Sequence, residues 1–163
     1  MEEDKLGHLV RLSLDTINEP VEAEPRVTYS EEEISNVLTD LYGAVDKETY
    51  VPPTPTIDNP ALSDDYIIDT QDVNLVLKDL NRDNFVGKIR DLSKGAVKRK
   101  ARGFPEEYLY VFKYACKLSR RDVDANGIKN ENVLIYIKIN SRKVPYNKVF
   151  VISFHKNNPK SKK

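Results

Sequence analysis

The fold of this chain is decided by three stretches, Tyr108-Leu-Tyr-Val-Phe-Lys-Tyr-Ala-Cys116, Val133-Leu-Ile-Tyr-Ile-Lys-Ile139 and Val149-Phe-Val-Ile-Ser-Phe-His155. All three are rich in β-branched and aromatic residues, which favour strands. The connections between them are 16 and 9 residues long. These lengths allow the three strands to be neighbours, so we predict an antiparallel sheet.

Side chains alternate across a strand, so each stretch has two faces. One predicted face is apolar throughout and consists of Tyr110, Phe112, Tyr114, Cys116, Val133, Ile135, Ile137, Ile139, Phe150, Ile152 and Phe154. We expect helices to pack on this face. The lone cysteine, Cys116, lies on it, which favours a structural thiol over a nucleophile.

The opposite face carries polar side chains from all three strands: Lys113, Tyr136, Lys138, Ser153 and His155. Two bases, a phenol, a hydroxyl and an imidazole are suited to binding a phosphate. The alternative is an ordinary solvated face, because one side of an antiparallel sheet commonly faces water.

The composition bounds the class of protein. The 163 residues can hold one domain with a real core and a smaller appendage, and 39% hydrophobic with 32% charged residues is typical of a soluble protein. We find no apolar run of membrane-spanning length, and the acidic start Met1-Glu-Glu-Asp-Lys5 is unlike a signal peptide. We therefore expect a cytoplasmic protein without membrane contact. No Cys/His spacing indicates a metal site, and no cofactor is predicted.

Zero net charge conceals a strong asymmetry between the halves. Residues 1–80 contain 19 acidic and 5 basic residues, a net charge of −14, whereas residues 81–163 contain 7 acidic and 21 basic residues, a net charge of +14. A basic half of this density favours polyanionic partners such as RNA. The acidic half can also simply neutralise its neighbour.

Helical patterns dominate the first half of the chain. Leu6, Leu9, Val10 and Ile17 predict a helix over residues 3–17, and Ser30 with Glu33 forms a capping box that starts a second helix, ended by Gly43. Four prolines between Val51 and Pro60 predict an extended linker.

The middle of the chain continues the helical pattern. Asp69 or Thr70 caps a third predicted helix, and the apolar residues of 85–92 suggest a short fourth. A basic loop follows over residues 94–103, with predicted RNA-binding residues Lys98, Arg99, Lys100 and Arg102. Helices before strands predict an α+β fold. We divide it into an acidic helical extension (1–50), a proline-rich linker (51–65), an α+β domain (66–156) and a basic tail (157–163).

The C-terminal half resembles the MqsR-like branch of the RelE-type toxins of bacterial toxin–antitoxin systems. The resemblance rests on Val76-Leu-Lys-Asp-Leu-Asn-Arg-Asp-Asn-Phe85, Leu109-Tyr-Val-Phe112, Ile135-Tyr-Ile-Lys138 and Val149-Phe-Val-Ile-Ser-Phe-His155, and covers about residues 70–156. It implies a small α+β fold with a curved antiparallel sheet, metal-independent cleavage of mRNA, and a cognate antitoxin as partner. The acidic first 65 residues have no counterpart in that family.

The resemblance also implies site residues. Lys138 and His155 lie on matching motifs, with Tyr136 and Ser153 in the same motifs, and Lys113 is added by its position on the predicted face. Metal-free RNA cleavage requires proton transfer and cations for the phosphoryl charge. We assign Lys138 and Lys113 to phosphate charge, His155 to proton transfer, and Tyr136 to base stacking or a hydrogen bond. Ser153 is assigned to RNA binding.

Other functions remain open at this point. The same basic sheet can grip RNA or a protein without chemistry, or the chain can be a mobile-element protein that acts only through a protein partner. Whether cleavage would need ribosome-associated mRNA is also open. The acidic half can dock over the Lys113 and Lys138 face as a built-in restraint, or on the helical side, which would stabilise the fold and leave the site open.

Overall fold

A computed structural model describes residues 4–6, 9–17, 26–56, 60–123 and 125–157. The predicted basic tail after Asn157 lies outside these ranges. The elements, in chain order, are β1 (Asp4–Leu6), β2 (Leu9–Arg11), α1 (Glu31–Asp46), α2 (Thr70–Asp79), β3 (Phe85–Arg90), α3 (Lys94–Ala101), β4 (Tyr108–Ser119), β5 (Asn130–Arg142) and β6 (Lys148–Lys156). Single 3-10 turns span Leu14–Thr16, Leu62–Asp64 and Arg82–Asn84. The predicted α+β class is confirmed.

Across the described ranges, six strands form one sheet in which all neighbouring strands are antiparallel. The strand order is β1-β2-β4-β5-β6, and β3 also pairs with β4. Thus β2 and β3 lie along the same edge of β4, at its two ends. The three long strands β4, β5 and β6 correspond to the three predicted strands.

Two helices cover one face of this sheet. Helix α1 begins at the predicted capping box, in which Ser30 Oγ accepts from the Glu33 N–H at 3.2 Å and Glu33 accepts from the Ser30 N–H at 3.1 Å. Helix α2 begins at Asp69, which forms the equivalent reciprocal cap with Asp72. Their buried residues join one cluster with the apolar face of the sheet, hereafter the core face, which includes Ile34, Val37, Leu41, Val76, Leu77, Phe112, Tyr114, Ile135 and Ile137. The opposite side of the sheet is hereafter the basic face.

A bulge in β6 changes the predicted core face. Lys138 pairs with Ser153 but its neighbour Ile139 pairs with Val151, so Ile152 is an extra residue. An extra residue reverses the alternation beyond it. Val149 and Val151 therefore join the core, whereas Ile152 is 41% exposed and Phe150 lies under the Arg142 guanidinium, 4.5 Å from its ring centroid. The prediction that Phe150 and Ile152 face the core is wrong.

The predicted N-terminal helix over residues 3–17 is also wrong. Residues of β2 pair with the edge of β4, Val10 with Lys117 and Arg11 with Cys116. Leu9 is buried in the core, while Leu12 packs with Ala115 on the other side of the sheet. The leucines of this segment are therefore divided between the two faces of the sheet, at its edge.

Three further local predictions are wrong. The predicted helix over 85–92 is strand β3, which pairs with β4 and has a bulge between Phe85 and Gly87. The predicted basic loop is helix α3, begun by Ser93, whose hydroxyl accepts from the Ala96 N–H at 3.3 Å. Helix α1 does not end at Gly43 but at Asp46, because Ala44 and Val45 continue its buried stripe.

The proline-rich stretch is attached to the sheet at its start. Val51 donates to the Val149 carbonyl at 2.9 Å and accepts from the Val151 N–H at 2.8 Å, a short parallel bridge on the outer edge of β6. Leu62, further along, is buried in the main core. Residues 57–59 lie outside the described ranges. As for membranes, none of the helices in the described part of the chain has the length and apolar character needed to cross one.

Candidate nucleic-acid interface

The strand register brings the predicted site residues together on the basic face. Tyr136 of β5 is paired with Lys113 of β4 on one side and with His155 of β6 on the other. In the next row, Lys138 pairs with Ser153. Directly paired residues have Cβ atoms about 4.5–5.5 Å apart. All five predicted side chains therefore lie on one surface, in two neighbouring rows that run across the strands.

Tyr136 lies at the centre of these rows and is 3% exposed. The Nζ of Lys138 is 5.3 Å from the centroid of its ring, and the His155 ring centroid is 5.9 Å from it. A ring enclosed in this way cannot offer a face to a nucleobase, so the stacking role predicted for Tyr136 does not fit this arrangement. Its ring instead supports the lysine and the imidazole on either side.

The orientation of His155 bears on proton transfer. Its Nδ1 lies 3.0 Å from the Lys156 carbonyl oxygen, which can only accept a hydrogen bond. In the tautomer that makes this hydrogen bond, Nδ1 carries the proton and Nε2 carries the lone pair. This is the tautomer that a general base acting through Nε2 requires.

The backbone at Lys113 is held by a hydrogen bond from the 3-10 turn that precedes β3. Asn84 is buried and its Nδ2 donates to the Lys113 carbonyl oxygen at 2.9 Å. Asn84 is held in turn by Asn81, whose N–H donates to Asn84 Oδ1 at 2.9 Å. The Lys113 side chain is half-buried and makes no ion pair with any residue that the structure describes.

A buried polar cluster ties α3 to the end of the basic face. Asn140 follows Lys138 by two residues, and its Nδ2 donates to Asp91 Oδ2 and to Glu107 Oε1, both at 2.9 Å. The Arg99 guanidinium of α3 donates to both oxygens of Glu107. Burial raises the pKa of Glu107, but the hydrogen bonds from Arg99 and Asn140 outweigh it, and the net effect is a lowered pKa.

The four cations predicted to bind RNA from this segment divide into two groups. Arg99 forms an ion pair with Glu107, and Lys100 forms one with Glu106 at 3.2 Å. Lys98 and Arg102 are exposed. Lys98 and Arg102 thus differ from Arg99 and Lys100 in making no ion pair with a described residue.

A cavity of about 620 Å³ adjoins the site at the edge of β6. Ser153 and His155 line one side of it, and the proline-rich stretch and the start of α2 line the other, with Tyr50, Pro52, Pro55, Ile68, Thr70, Val73 and Asn74. Its walls are mainly apolar. The sequence did not predict this cavity, because the proline-rich stretch was predicted to be a linker.

The acidic helix α1 lies on the core face, away from these residues. Three of its carboxylates pair with cations of the basic half: Glu31 with Arg82 at 2.5 Å, Glu33 with Lys88 at 2.6 Å and Asp40 with Lys143 at 2.7 Å. A fourth, Asp46, pairs with Lys78 of α2 at 2.8 Å. The contacts of α1 support docking on the helical side. The glutamates of segment 18–25 lie outside the described residues. Cys116 is buried on the same face, and burial raises the pKa of its thiol to about 12, as expected for a structural thiol.

Arg26 is a cation at the basic face that is not among the predicted site residues. The side chain of Arg26 passes over Gly87 of β3. The only sequence signal is Gly87 itself, since an isolated glycine in a strand often marks a close approach by another group.

Comparison with protein-family models, with curated proteins and with solved structures found no match for this chain. The described residues contain no group of three or more His, Cys, Asp or Glu side chains placed to hold a metal ion.

Proposed function

We propose that this chain is a metal-independent endoribonuclease of the toxin type, which binds RNA on the basic face and cleaves it there. The observation that carries the proposal is the cross-strand row of Lys113, Tyr136 and His155, with Lys138 and Ser153 in the row beside it. In this row a lysine and an imidazole flank Tyr136, and a second lysine lies in the row beside it, which supports the binding of RNA phosphate on this surface. The partners proposed are mRNA and a cognate antitoxin protein.

In the proposed reaction the 2′-hydroxyl of the RNA attacks the adjacent phosphorus, the bond from phosphorus to the 5′-oxygen breaks, and the leaving 5′-oxygen takes a proton from solvent water. In the tautomer with the proton on Nδ1, His155 Nε2 takes the proton of the 2′-hydroxyl. Lys113 and Lys138 hold the charge that develops on the phosphoryl oxygens. The products are a 2′,3′-cyclic phosphate and a free 5′-hydroxyl.

The second candidate is an RNA-binding module without catalysis. It is favoured by the enclosure of Tyr136 and by His155 being the single imidazole among the five predicted side chains of this face, since a cleavage site also needs an acid for the leaving group. The same cations would then hold phosphates without reaction. In either case the placement of α1 on the core face argues that this helix stabilises the fold rather than blocking the site.

The test is RNA binding and cleavage by the purified full chain, in EDTA, with a mixed-sequence single-stranded RNA oligonucleotide. Lys138→Ala and His155→Ala should each abolish cleavage, and Lys138→Ala should also weaken binding. The matched control is Lys47→Ala, which removes an equal charge at the exposed C-terminal end of α1.

The outcomes separate the candidates. Cleavage to cyclic-phosphate ends that His155→Ala abolishes supports the nuclease. Binding without cleavage, weakened by Lys138→Ala but not by Lys47→Ala, supports the binding module. A folded wild-type chain that does not bind RNA would reject both.

A further inference from the structure

The side chain of Arg26 occupies the space that a side chain at position 87 would fill. A Cβ built on Gly87 would lie 2.7 Å from Arg26 Cδ, 2.9 Å from Nε and 3.4 Å from Cγ. Distances below 3.0 Å are not tolerated by real Cβ atoms, so Arg26 can lie here only because residue 87 is glycine. The φ of Gly87 is outside the left-handed region, so backbone conformation is not what requires glycine at this position.

The strand register tells which face Arg26 covers. Gly87 pairs with Val111 of β4, and Val111 pairs with Lys138 of β5, so the missing Cβ would point to the same side as Lys138. Arg26 therefore crosses β3 on the basic face. Neighbouring strands are about 4.8 Å apart, which puts the backbones of Gly87 and Lys138 about 10 Å apart.

The backbone next to Arg26 is anchored. Val27 donates from its N–H to the Lys88 carbonyl at 2.8 Å and forms an isolated antiparallel bridge with β3. Arg26 is exposed despite its contact with Gly87. The aliphatic stem of Arg26 is held against the sheet, while the residue as a whole stays exposed. This arrangement is suited to presenting its guanidinium to a ligand.

We propose that Arg26 is a further phosphate-binding residue of the basic face, and that Gly87 is there to let it reach across β3. The proposal rests on the RNA-binding function above and deepens it: the RNA backbone would run across the sheet, from β6 over Lys138 and Lys113 to Arg26 at β3. A guanidinium can bind two phosphate oxygens at once, which a lysine cannot do.

The alternative is that Arg26 only covers apolar surface. Val111 is 3% exposed, and an arginine stem can shield such a residue while its head stays in water. Loss of Arg26 would then lower stability and leave binding unchanged. The two roles are separated by measuring binding and folding on the same variants.

The experiment uses the full chain, the same RNA oligonucleotide and a series of salt concentrations. Arg26→Ala should weaken binding about tenfold at low salt, the equivalent of one charged hydrogen bond. It should also reduce the slope of log affinity against log salt by about 0.7, the contribution of one phosphate on a single strand. Arg26→Lys should keep the slope but not the full affinity.

Gly87→Ala is the sharpest variant, because it keeps every charge. Its methyl group meets only Arg26 atoms among its nearest contacts, so it should displace that side chain without disturbing the strand. We expect it to weaken binding as Arg26→Ala does, and the double variant to be no worse than either single one. Lys47→Ala again controls for net charge. If Arg26→Ala and Gly87→Ala match Lys47→Ala while the wild type binds RNA, the proposal is wrong and RNA binding stands.

A second measurement separates this proposal from the RNA function. The Nε–H signal of Arg26, assigned by its loss in Arg26→Ala, is followed by NMR during addition of pyrophosphate. A saturable shift in the wild type, reduced in Gly87→Ala, supports a phosphate site at Arg26 even if the chain does not bind RNA. Absence of both the shift and the effect on RNA would overturn the proposal.

Discussion

The two faces of the sheet use their charged and phenolic side chains differently. On the core face they are matched to carboxylates: Tyr110 donates to Glu33 at 2.9 Å, Tyr114 donates to Asp79 at 2.7 Å, and Lys88 pairs with Glu33 at 2.6 Å. On the basic face, Lys113 makes no ion pair with a described residue and Arg26 is exposed. Charge on the core face thus holds α1 and α2 to the sheet, whereas Lys113 and Arg26 on the basic face are not used in this way.

The difference is visible between neighbours along one strand. Phe112 is fully buried under the helices, in edge contact with Phe85 at a ring distance of 5.5 Å. Lys113, the next residue, points to the other side. Stability and ligand binding should therefore respond separately to changes at adjacent positions.

The largest expected effect tests this separation directly. Phe112→Ala should lower the free energy of unfolding by about 3–5 kcal/mol, because it removes a buried ring and leaves a cavity. Lys113→Ala should change it by less than about 0.5 kcal/mol, as for other surface changes. Denaturant unfolding of both variants measures the contrast. Similar losses would mean that the two faces are not energetically distinct.

The strands of this sheet were predictable because their pattern is local. The alternation of side chains puts Lys113 of β4, Tyr136 of β5 and His155 of β6 on one face, and the strand register then brings them into one row. The bulge at Ile152 was not predictable from alternation, since one extra residue leaves the composition of the strand unchanged. The enclosure of Tyr136 likewise depends on neighbours from two other strands.

The errors in the helices have a different cause. The leucines of β2 and the residues after it satisfy both helical and strand spacing, and pairing with β4 decides between them. Helix α3 was predicted to be a loop because the segment is basic and contains Gly95. The Ser93 cap and the burial of Ala96 stabilise it as a helix. Arg26 was not predictable, because its place over Gly87 is a contact between segments about 60 residues apart in the chain.

The second expected effect concerns the connection between α3 and the basic face. Asn140→Ala removes the shared donor of Asp91 and Glu107, which are both buried. Leaving buried acceptors without a donor costs about 1–3 kcal/mol. We expect that loss in unfolding experiments, together with faster amide exchange in α3. If stability falls while exchange in α3 stays slow, the cluster holds the strands and not the helix.

The third effect is a pH dependence on the core face. Burial alone would raise the pKa of Glu131, but hydrogen bonds from Tyr66, Lys156 and Arg120 outweigh it and lower the pKa from 4.5 to about 2. A carboxyl with a lowered pKa stabilises the fold above its unfolded pKa and loses that contribution as the pH falls from about 4.5 toward 2. With 28% of the side chain exposed, we expect about 1–2 kcal/mol.

The measurement is the free energy of unfolding against pH for the wild type and Glu131→Gln. The variant should be less stable at pH 7, and the gap should narrow below pH 4.5. Other carboxylates with lowered pKa, such as Glu33, act equally in both proteins and cancel in the difference. A constant gap over the whole range would show that the glutamate acts through its shape and not its charge.

The smallest effect asks whether charge attraction between the two halves holds α1 in place. Of its four ion pairs to other parts of the chain, Lys88 with Glu33 has a largely buried cation, 10% exposed, whereas Lys143 is 59% exposed opposite Asp40. Exposed pairs contribute about 0–1 kcal/mol each and are screened by salt. Burial of an aliphatic side chain such as Leu41 contributes about 1.5–3 kcal/mol.

Apolar packing should therefore dominate the attachment of α1, despite charges of −14 and +14 on the two halves. A double-mutant cycle of Lys143→Ala and Asp40→Ala should give a coupling below about 1 kcal/mol that disappears in 1 M salt. Because Ser141 also donates to Asp40 at 2.8 Å, the cycle is repeated with Ser141→Ala as background. A coupling well above this value, or release of α1 from the sheet at high salt, would mean that the charge asymmetry is the main force joining the halves.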